Sequence, residues 1–257
     1  MSSAHYPAKA KDRPGPHEDS LLRQHLGDRR FVLTLPRAIA LQALHPAIGA
    51  ALAEHASSRL WHHKKRTVSQ MIYLVYSGRD AAPVIRNGHE HLRGVDGFGR
   101  RYHALHPEIF LFQHATYVDA LVHSVEVFGG GLSAPRRERL YAECCAWFRG
   151  HGISDRHLPV TWPEFIEYFE QACATTLTRG PHADALASQV LRPDAWLPRR
   201  VPSFAVRALL HPRAAELFDS RPDATDRHAF TAYAAAVRTT AALSSRRRRY
   251  LLQTRVL

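Results

Sequence analysis

Apolar residues recur at helical spacing along almost the whole chain, and this periodicity is the main guide to its structure. It predicts a helix from Pro36 to about His55, a second from about Ser58 to Tyr76, and a long apolar third from Pro107 to Phe128. Proline is favoured in the first turn of a helix, which suits the start of the first and third helices. Pro46 lies inside the first helix and lacks an amide proton, so we expect a kink or break near Gln42.

Caps and glycine stops define the remaining elements. They predict helices over about 80–93, 183–191 and 204–210, and a last helix from Asp223 or Thr225 to Tyr250. Two more helices are predicted to begin at a cap at Ser133 and at a Thr161–Glu164 capping box. Glycines at 94, 97 and 99 mark a loop, and we find no hairpin signal and no repeat period. The chain is therefore expected to fold as one all-α, multi-helix domain over residues 21–250. A disordered polar leader is expected at 1–20 and a tail at 251–257.

Composition narrows the class of protein. Hydrophobic residues make up 45% of the 257, which is typical of a globular chain. No apolar run approaches the ~20 residues that cross a bilayer, and no secretion signal is seen. We therefore expect a cytoplasmic protein without a membrane partner. The three cysteines, Cys144, Cys145 and Cys173, predict a reducing compartment and no structural disulfide.

The chain is strongly basic, with a formal net charge of +12. Such a balance attracts polyanions in general. The sharpest basic run is Arg246-Arg247-Arg248-Arg249, which follows an Ala-rich helix. Cations are favourable at a helix C-terminus, so a solvated tail explains this run, and nucleic acid is not the expected partner.

Histidines carry the candidate chemistry, because the chain has eighteen of them and no GxGxxG, GxxxxGK, GxSxG or HExxH motif. His89 lies on a short amphipathic helix near Ile85 and Leu92, and His114 lies in the long apolar helix. A neutral imidazole is the commonest protein ligand for a transition metal or haem iron. The pattern therefore predicts a metal or haem site at His89. His114 is either a hydrogen-bonded core residue or part of a pocket wall. His151 is among the histidines expected to be surface or satisfied core residues.

Two further segments have a structural and a functional interpretation. The segment His62-His63-Lys64-Lys65-Arg66-Thr67 is either a solvated helix face or a set of cations and a hydroxyl for an anionic ligand such as haem carboxylates. Leu44-His45-Pro46 is either a packing bend or a bend around a ligand.

These segments, in this order, resemble the catalytic domain shared by latex clearing proteins (rubber oxygenases) and the fungal oxygenase of mycophenolic acid biosynthesis. The matching residues are Leu44-His45-Pro46-Ala47, Arg66-Thr67, His89 with Leu92 and Gly94, Tyr102-His103-Ala104 with Pro107, His114-Ala115-Thr116 with Asp119, Tyr141-Ala142-Glu143, and Leu158-Pro159-Val160-Thr161 leading to Phe165 and Tyr168. The resemblance is best over residues 30 to 175.

The resemblance implies an all-α fold with a globin-like core that binds one haem b. The proximal iron ligand of the family falls on His89, with His114 as the alternative. A distal Arg and Thr pair of the family falls on His63 and Thr67, and this chain has His in place of the Arg. Arg66 replaces a lysine that can cap the iron in some rubber oxygenases, so we expect a sixth site that is open, water-bound or taken by His63.

The remaining site residues follow from the same resemblance. Arg59, Lys64 and Arg93 are the cations expected to bind the cofactor, and Arg66 is expected beside the bound oxygen. An acidic base of the rubber-cleaving members falls near His45, where this chain has no carboxylate. Cleavage of rubber is therefore not implied, and His45 is expected to line the substrate side and act as a base.

The function predicted from these residues is a haem b-dependent oxygenase that acts on a small or medium apolar organic substrate with O2 or peroxide. Two alternatives stay open at this point: a haem-binding carrier or sensor without turnover, and a haem-free basic helical regulator that binds nucleic acid.

Overall fold

Helices form nearly all of the secondary structure in the computed structural model, which describes residues 20–56 and 59–255. In chain order the helices of this part are α1 (Leu21–Leu26), α2 (Arg29–Leu33), α3 (Leu35–Leu44), α4 (Pro46–Ala56), α5 (Leu60–Ser77), α6 (Ala82–His89), α7 (Pro107–Phe128), α8 (Ala134–Arg149), α9 (Trp162–Thr175), α10 (Pro181–Leu191), α11 (Ser203–Leu209), α12 (Pro212–Leu217), α13 (Ala224–Leu243) and α14 (Arg246–Arg249). The prediction of an all-α domain is confirmed, with fourteen α-helices among the described residues. Apart from Ser20, the predicted disordered leader lies outside the described residues.

The long helix α7 runs through the centre of the molecule. Fourteen of its twenty-two residues are buried, and it packs against α2, α3, α4, α8, α9 and α13. A helix that is apolar nearly all round has to be covered on every side. The other helices therefore wrap α7, and most buried apolar residues join one continuous core.

The break predicted inside the helix from Pro36 to His55 is present, although at a different residue. The structure has two helices, and the break falls at His45, with φ −76° and ψ 121°, rather than near Gln42. The residue before a proline is disfavoured in the α region, so the chain turns at His45 and starts α4 with Pro46. This break places a buried His45 at the junction of α3 and α4.

A small hairpin interrupts the helices where a loop was predicted, so the absence of hairpins was a wrong expectation. Strand β1 (Arg93–Val95) pairs antiparallel with β2 (Arg101–His103), with Arg93 opposite His103. The turn is held by Asp96, whose Oδ1 accepts from the amides of Phe98 and Arg100. The Asp96-Gly97 pair is a recognised turn signal that was available in the sequence. Helix α6 accordingly ends at His89, four residues before the predicted end.

The last long helix starts at the predicted cap, where Asp223 and Asp226 form a capping box. It ends at Leu243 instead of Tyr250, and Arg246–Arg249 forms the separate short helix α14. The basic run is only partly solvated, because the Nε of Arg249 lies 3.0 Å from the carboxylate of Asp28. In the described part of the chain, no helix is both long and apolar enough to cross a bilayer.

Candidate active site

His89 closes α6 with its imidazole turned back on its own helix. The Nδ1 of this ring lies 2.8 Å from the carbonyl oxygen of Ile85. A carbonyl only accepts, so Nδ1 carries the ring proton and donates it. Burial is the main cause that lowers the pKa of His89, so the ring is neutral near pH 7 and Nε2 keeps its lone pair. This is the arrangement that orients a histidine as a metal ligand.

Lys64, on α5, is the buried cation of this region, with 2% of its surface exposed. Its Nζ donates to Oε1 of Gln42 at 2.6 Å, and Nε2 of Gln42 donates to Oγ1 of Thr116 at 2.8 Å. Burial lowers the pKa of Lys64 to about 7. The charge of Lys64 also lowers the pKa of His89, which places the two groups within electrostatic range of each other.

His63 precedes Lys64 on α5 and belongs to the same neighbourhood. Its pKa is lowered to about 4, chiefly by burial and then by the charges of Lys64 and Arg66, with a smaller contribution from His89. Its Nδ1 lies 3.4 Å from a guanidinium nitrogen of Arg66. The structure therefore brings together three predicted site residues, His63, Lys64 and His89.

The other predicted polar residues of α5 and its surroundings lie at the surface. Arg66 and Thr67 are exposed, and the hydroxyl of Thr67 donates to the carbonyl of His63 at 3.2 Å. Arg59 is exposed at the start of α5, and Arg93 is exposed with its guanidinium on the carbonyl of Glu90. The structure therefore places these four residues in solvent and gives Arg59 and Arg93 no contact with His89.

His114 and His151 form a buried aromatic cluster next to His89. The imidazole of His114 packs edge-on against Trp147, with ring centroids 4.6 Å apart, and it lies 5.7 Å from the ring of His151. His114 is also hydrogen-bonded to the backbone of Cys144, as a satisfied core histidine would be. Phe110 connects the cluster to the ligand candidate, because its ring lies 5.4 Å from His151 and 5.8 Å from His89.

Of the two positions expected for His151, surface or core, the structure shows the core, because only 6% of this residue is exposed. It lies in the turn after α8, three residues beyond Phe148, and so continues the apolar face of that helix. That spacing was a usable signal in the sequence. Burial, and then the charge of His89, lowers the pKa of His151 to about 4. Its Nδ1 is buried and has no hydrogen-bond partner among the described residues.

His45 lies in a different environment from the His89 group. Its ring packs 5.1 Å from that of Phe112, and its Nδ1 is 3.4 Å from the amide of Ile48. Burial is the main cause that lowers its pKa to about 4, and Arg100 and Asp96 of the hairpin are its charged neighbours. His45 is therefore a neutral base at pH 7.

The donor set at His89 fits a haem better than a bare metal ion. Among the described residues, no group of three or more His, Cys, Asp or Glu side chains is placed to hold a metal. Haem brings four nitrogen ligands of its own, so one oriented imidazole is sufficient. His89 supplies that imidazole with a free Nε2.

One comparison with known proteins assigns the chain to a family. The family model of the catalytic domain of "ER-bound oxygenase mpaB/B'/Rubber oxygenase" matches residues 23–239, which is most of the chain. The chain belongs to this family. No curated protein and no solved structure matches the chain.

Membership confirms the family that the sequence was found to resemble and identifies the protein as an oxygenase-type enzyme. An oxygenase requires a substrate and an oxidant, which a carrier or a regulator does not. The mpaB/rubber oxygenase match also extends to residue 239, well past the region in which the sequence motifs were recognised.

Proposed function

We propose that this member of the mpaB/rubber oxygenase family is a haem b-dependent oxygenase in which His89 would hold the iron. Its proposed substrate is a small or medium apolar organic molecule, its oxidant is O2 or peroxide, and its compartment is the cytoplasm. The observation that carries the proposal is the hydrogen bond from Nδ1 of His89 to Ile85, which leaves Nε2 free in a largely buried neutral ring. Bound haem would supply the redox chemistry that activates the oxidant.

The chain's own residues prepare that site in three ways. The carbonyl of Ile85 fixes the plane and the tautomer of the His89 ring. Phe110 and the His114–His151 cluster exclude water behind that ring. Exposed Arg59 and Arg93 are available at the rim to pair with carboxylates of the cofactor.

Lys64 and His63 are the groups that we propose to handle protons. The Nζ of Lys64 has a pKa of about 7, so it can hold or release a proton at neutral pH. Neutral His63 can accept a hydrogen bond next to it. Thr67 and Arg66 would act from the solvent side of α5, and His45 would serve as a base on the substrate side, near Phe112.

The test is the absorption spectrum and haem content of the purified full chain, before and after addition of hemin, beside three variants. His89→Ala should lose the Soret band and recover part of it with added imidazole. His114→Ala should keep the band, and so should His91→Ala, the matched control two residues away on the exposed side. If His89→Ala keeps the band, His89 is not the ligand. If the parent protein shows no band with hemin, the haem proposal fails.

Oxygenase turnover needs a second readout. Consumption of O2 or peroxide that depends on an added apolar substrate, and that is lost in His89→Ala, is the expected result. Haem binding without any substrate-dependent consumption would support the carrier or sensor alternative.

A further inference from the structure

A basic surface with no ion pairs among the described residues includes the exposed side of α5. We define the cationic face as Lys65 and Arg66 of α5 together with Arg247, Arg248 and Arg255. None of these five cations has a carboxylate within 4 Å among the described residues, whereas arginines elsewhere, such as Arg37 and Arg207, are paired with aspartates. The sequence contains no Asp or Glu over 57–79 or over 227–257. Among the described residues, the positive charge of the cationic face is therefore not neutralised by ion pairs.

The two parts of the cationic face are joined into one surface. Nε2 of Gln253 donates to Oγ of Ser69 at 3.0 Å, which holds the 252–254 turn against α5. The guanidinium of Arg255 folds back onto the carbonyl of Arg247 at 3.0 Å. A groove lined by His62, Lys65, Arg66, Tyr73 and Gln253 runs between the turn and the helix.

Exposed leucines flank the basic run. Leu243 is 84% exposed and Leu252 is 66% exposed, and these are the two most exposed large apolar side chains in the described part of the chain. Tyr250 lies between them, with the guanidinium groups of Arg246 and Arg249 each 5.5 Å from its ring centroid. Two leucines exposed to water near a cluster of arginines indicate an interaction surface. A partner with an apolar interior and an anionic surface would bind the leucines and the arginines together.

We propose that the cationic face, with Leu243 and Leu252, docks the protein on an anionic lipid surface. Clustered arginines would contact the lipid phosphates and carboxylates, while the two leucines would enter the acyl boundary. Nucleic acid matches the charge but offers nothing to the leucines, so the lipid surface is the better match. The docking would place an enzyme for apolar molecules where such molecules partition, and it does not depend on the identity of the cofactor.

The experiment is co-sedimentation of the full chain with vesicles of phosphatidylcholine alone or mixed with phosphatidylserine, over a range of salt concentrations. Binding to the mixed vesicles that falls with salt is expected. Replacing Arg247, Arg248 and Arg255 together by Gln should weaken it about 100-fold, at roughly fivefold for each arginine near the surface. The matched control replaces Arg156, Arg192 and Arg199 by Gln, which removes the same charge from exposed positions elsewhere. This control should change binding only a few-fold.

A second variant tests the apolar part. Leu243→Ser with Leu252→Ser should weaken binding to the mixed vesicles and leave retention on a heparin column unchanged, since that column requires only charge. The proposal is overturned if the parent protein does not bind the mixed vesicles, or if it binds both kinds of vesicle equally. It is overturned as well if the control triple variant loses as much binding as the variant of Arg247, Arg248 and Arg255. It is also overturned if the leucine variant binds like the parent, because the face would then be a site for a polyanion such as nucleic acid.

Discussion

The Nζ of Lys64 and the Oε1 of Gln42 lie 2.6 Å apart in the interior, between α5 and α3. No carboxylate lies within 4 Å of this ammonium group among the described residues, although a buried cation is normally paired with an anion. An amide oxygen compensates only part of the lost hydration, and burial therefore lowers the pKa of Lys64 to about 7. The lysine is consequently a titrating group at physiological pH.

Lys64 should make the stability of the protein increase with pH above neutrality. The unfolded chain binds this proton up to a pKa of about 10.5, whereas the folded protein loses it near pH 7. Between these two values the unfolded state holds more protons, so the free energy of unfolding rises with pH, by up to roughly 5 kcal/mol. Urea unfolding from pH 7 to pH 10 should show this slope. Lys64→Met should remove it, and Lys65→Met, on the exposed side of the same helix, should retain it. An unchanged slope in Lys64→Met would show that Lys64 is not the titrating group.

The sequence predicted the helices better than the site. Pro107 and the glycines that follow Phe128 defined α7 to the residue, because proline suits a first helical turn and glycine ends a helix. The hairpin was missed because its strands have only three residues each, too few for an alternating pattern. The burial of His151 was not recognised, although its position three residues beyond Phe148 continues the apolar face of α8.

His89, His63 and Lys64 were all named as candidates from the sequence, but the burial of Lys64 could not be predicted from it. His89 stands out next to apolar neighbours on a short helix. Lys64 lies in a run of cations, and the sequence does not show that it alone points inward toward Gln42 while Lys65 and Arg66 face solvent. The rotation of α5 about its axis, and not the residue types, decides that Lys64 is buried while Lys65 and Arg66 are exposed.

The buried His151 should make the protein sensitive to acid. Its pKa is 6.5 in the unfolded chain and about 4 in the folded protein, so the stability present above pH 6.5 is lost as the pH falls toward 4. The loss from this residue is about 3 kcal/mol. The free energy of unfolding, measured with denaturant from pH 7 to pH 4, should therefore fall less with pH for His151→Leu than for the parent protein. His91→Leu, at an exposed position, should leave the pH dependence unchanged. Equal slopes in all three proteins would contradict the prediction.

Asp119 should matter for stability through Arg37. Its carboxylate forms two hydrogen bonds to the guanidinium group of Arg37, at 2.6 and 3.1 Å, and links α7 to α3. Asp119→Asn would leave a mostly buried cation unpaired and should cost about 3 kcal/mol of unfolding free energy. The matched control is Asp155→Asn, whose ion pair with Arg149 is about half exposed and is worth roughly 1 kcal/mol or less. If both variants cost the same, the α3–α7 ion pair has no special role.

The three cysteines should be unreactive in the folded protein, which bears on thiolate ligation of iron. Cys144, Cys145 and Cys173 are all free and buried. Burial raises the pKa of each thiol, so little thiolate exists at neutral pH. The native protein should not react with DTNB, and all three thiols should react in guanidinium chloride. Ser154→Cys, at an exposed position, is the positive control and should react at once. Fast reaction of a native cysteine, or a Soret band that changes in Cys144→Ala, would bring a thiolate back as a ligand in place of His89.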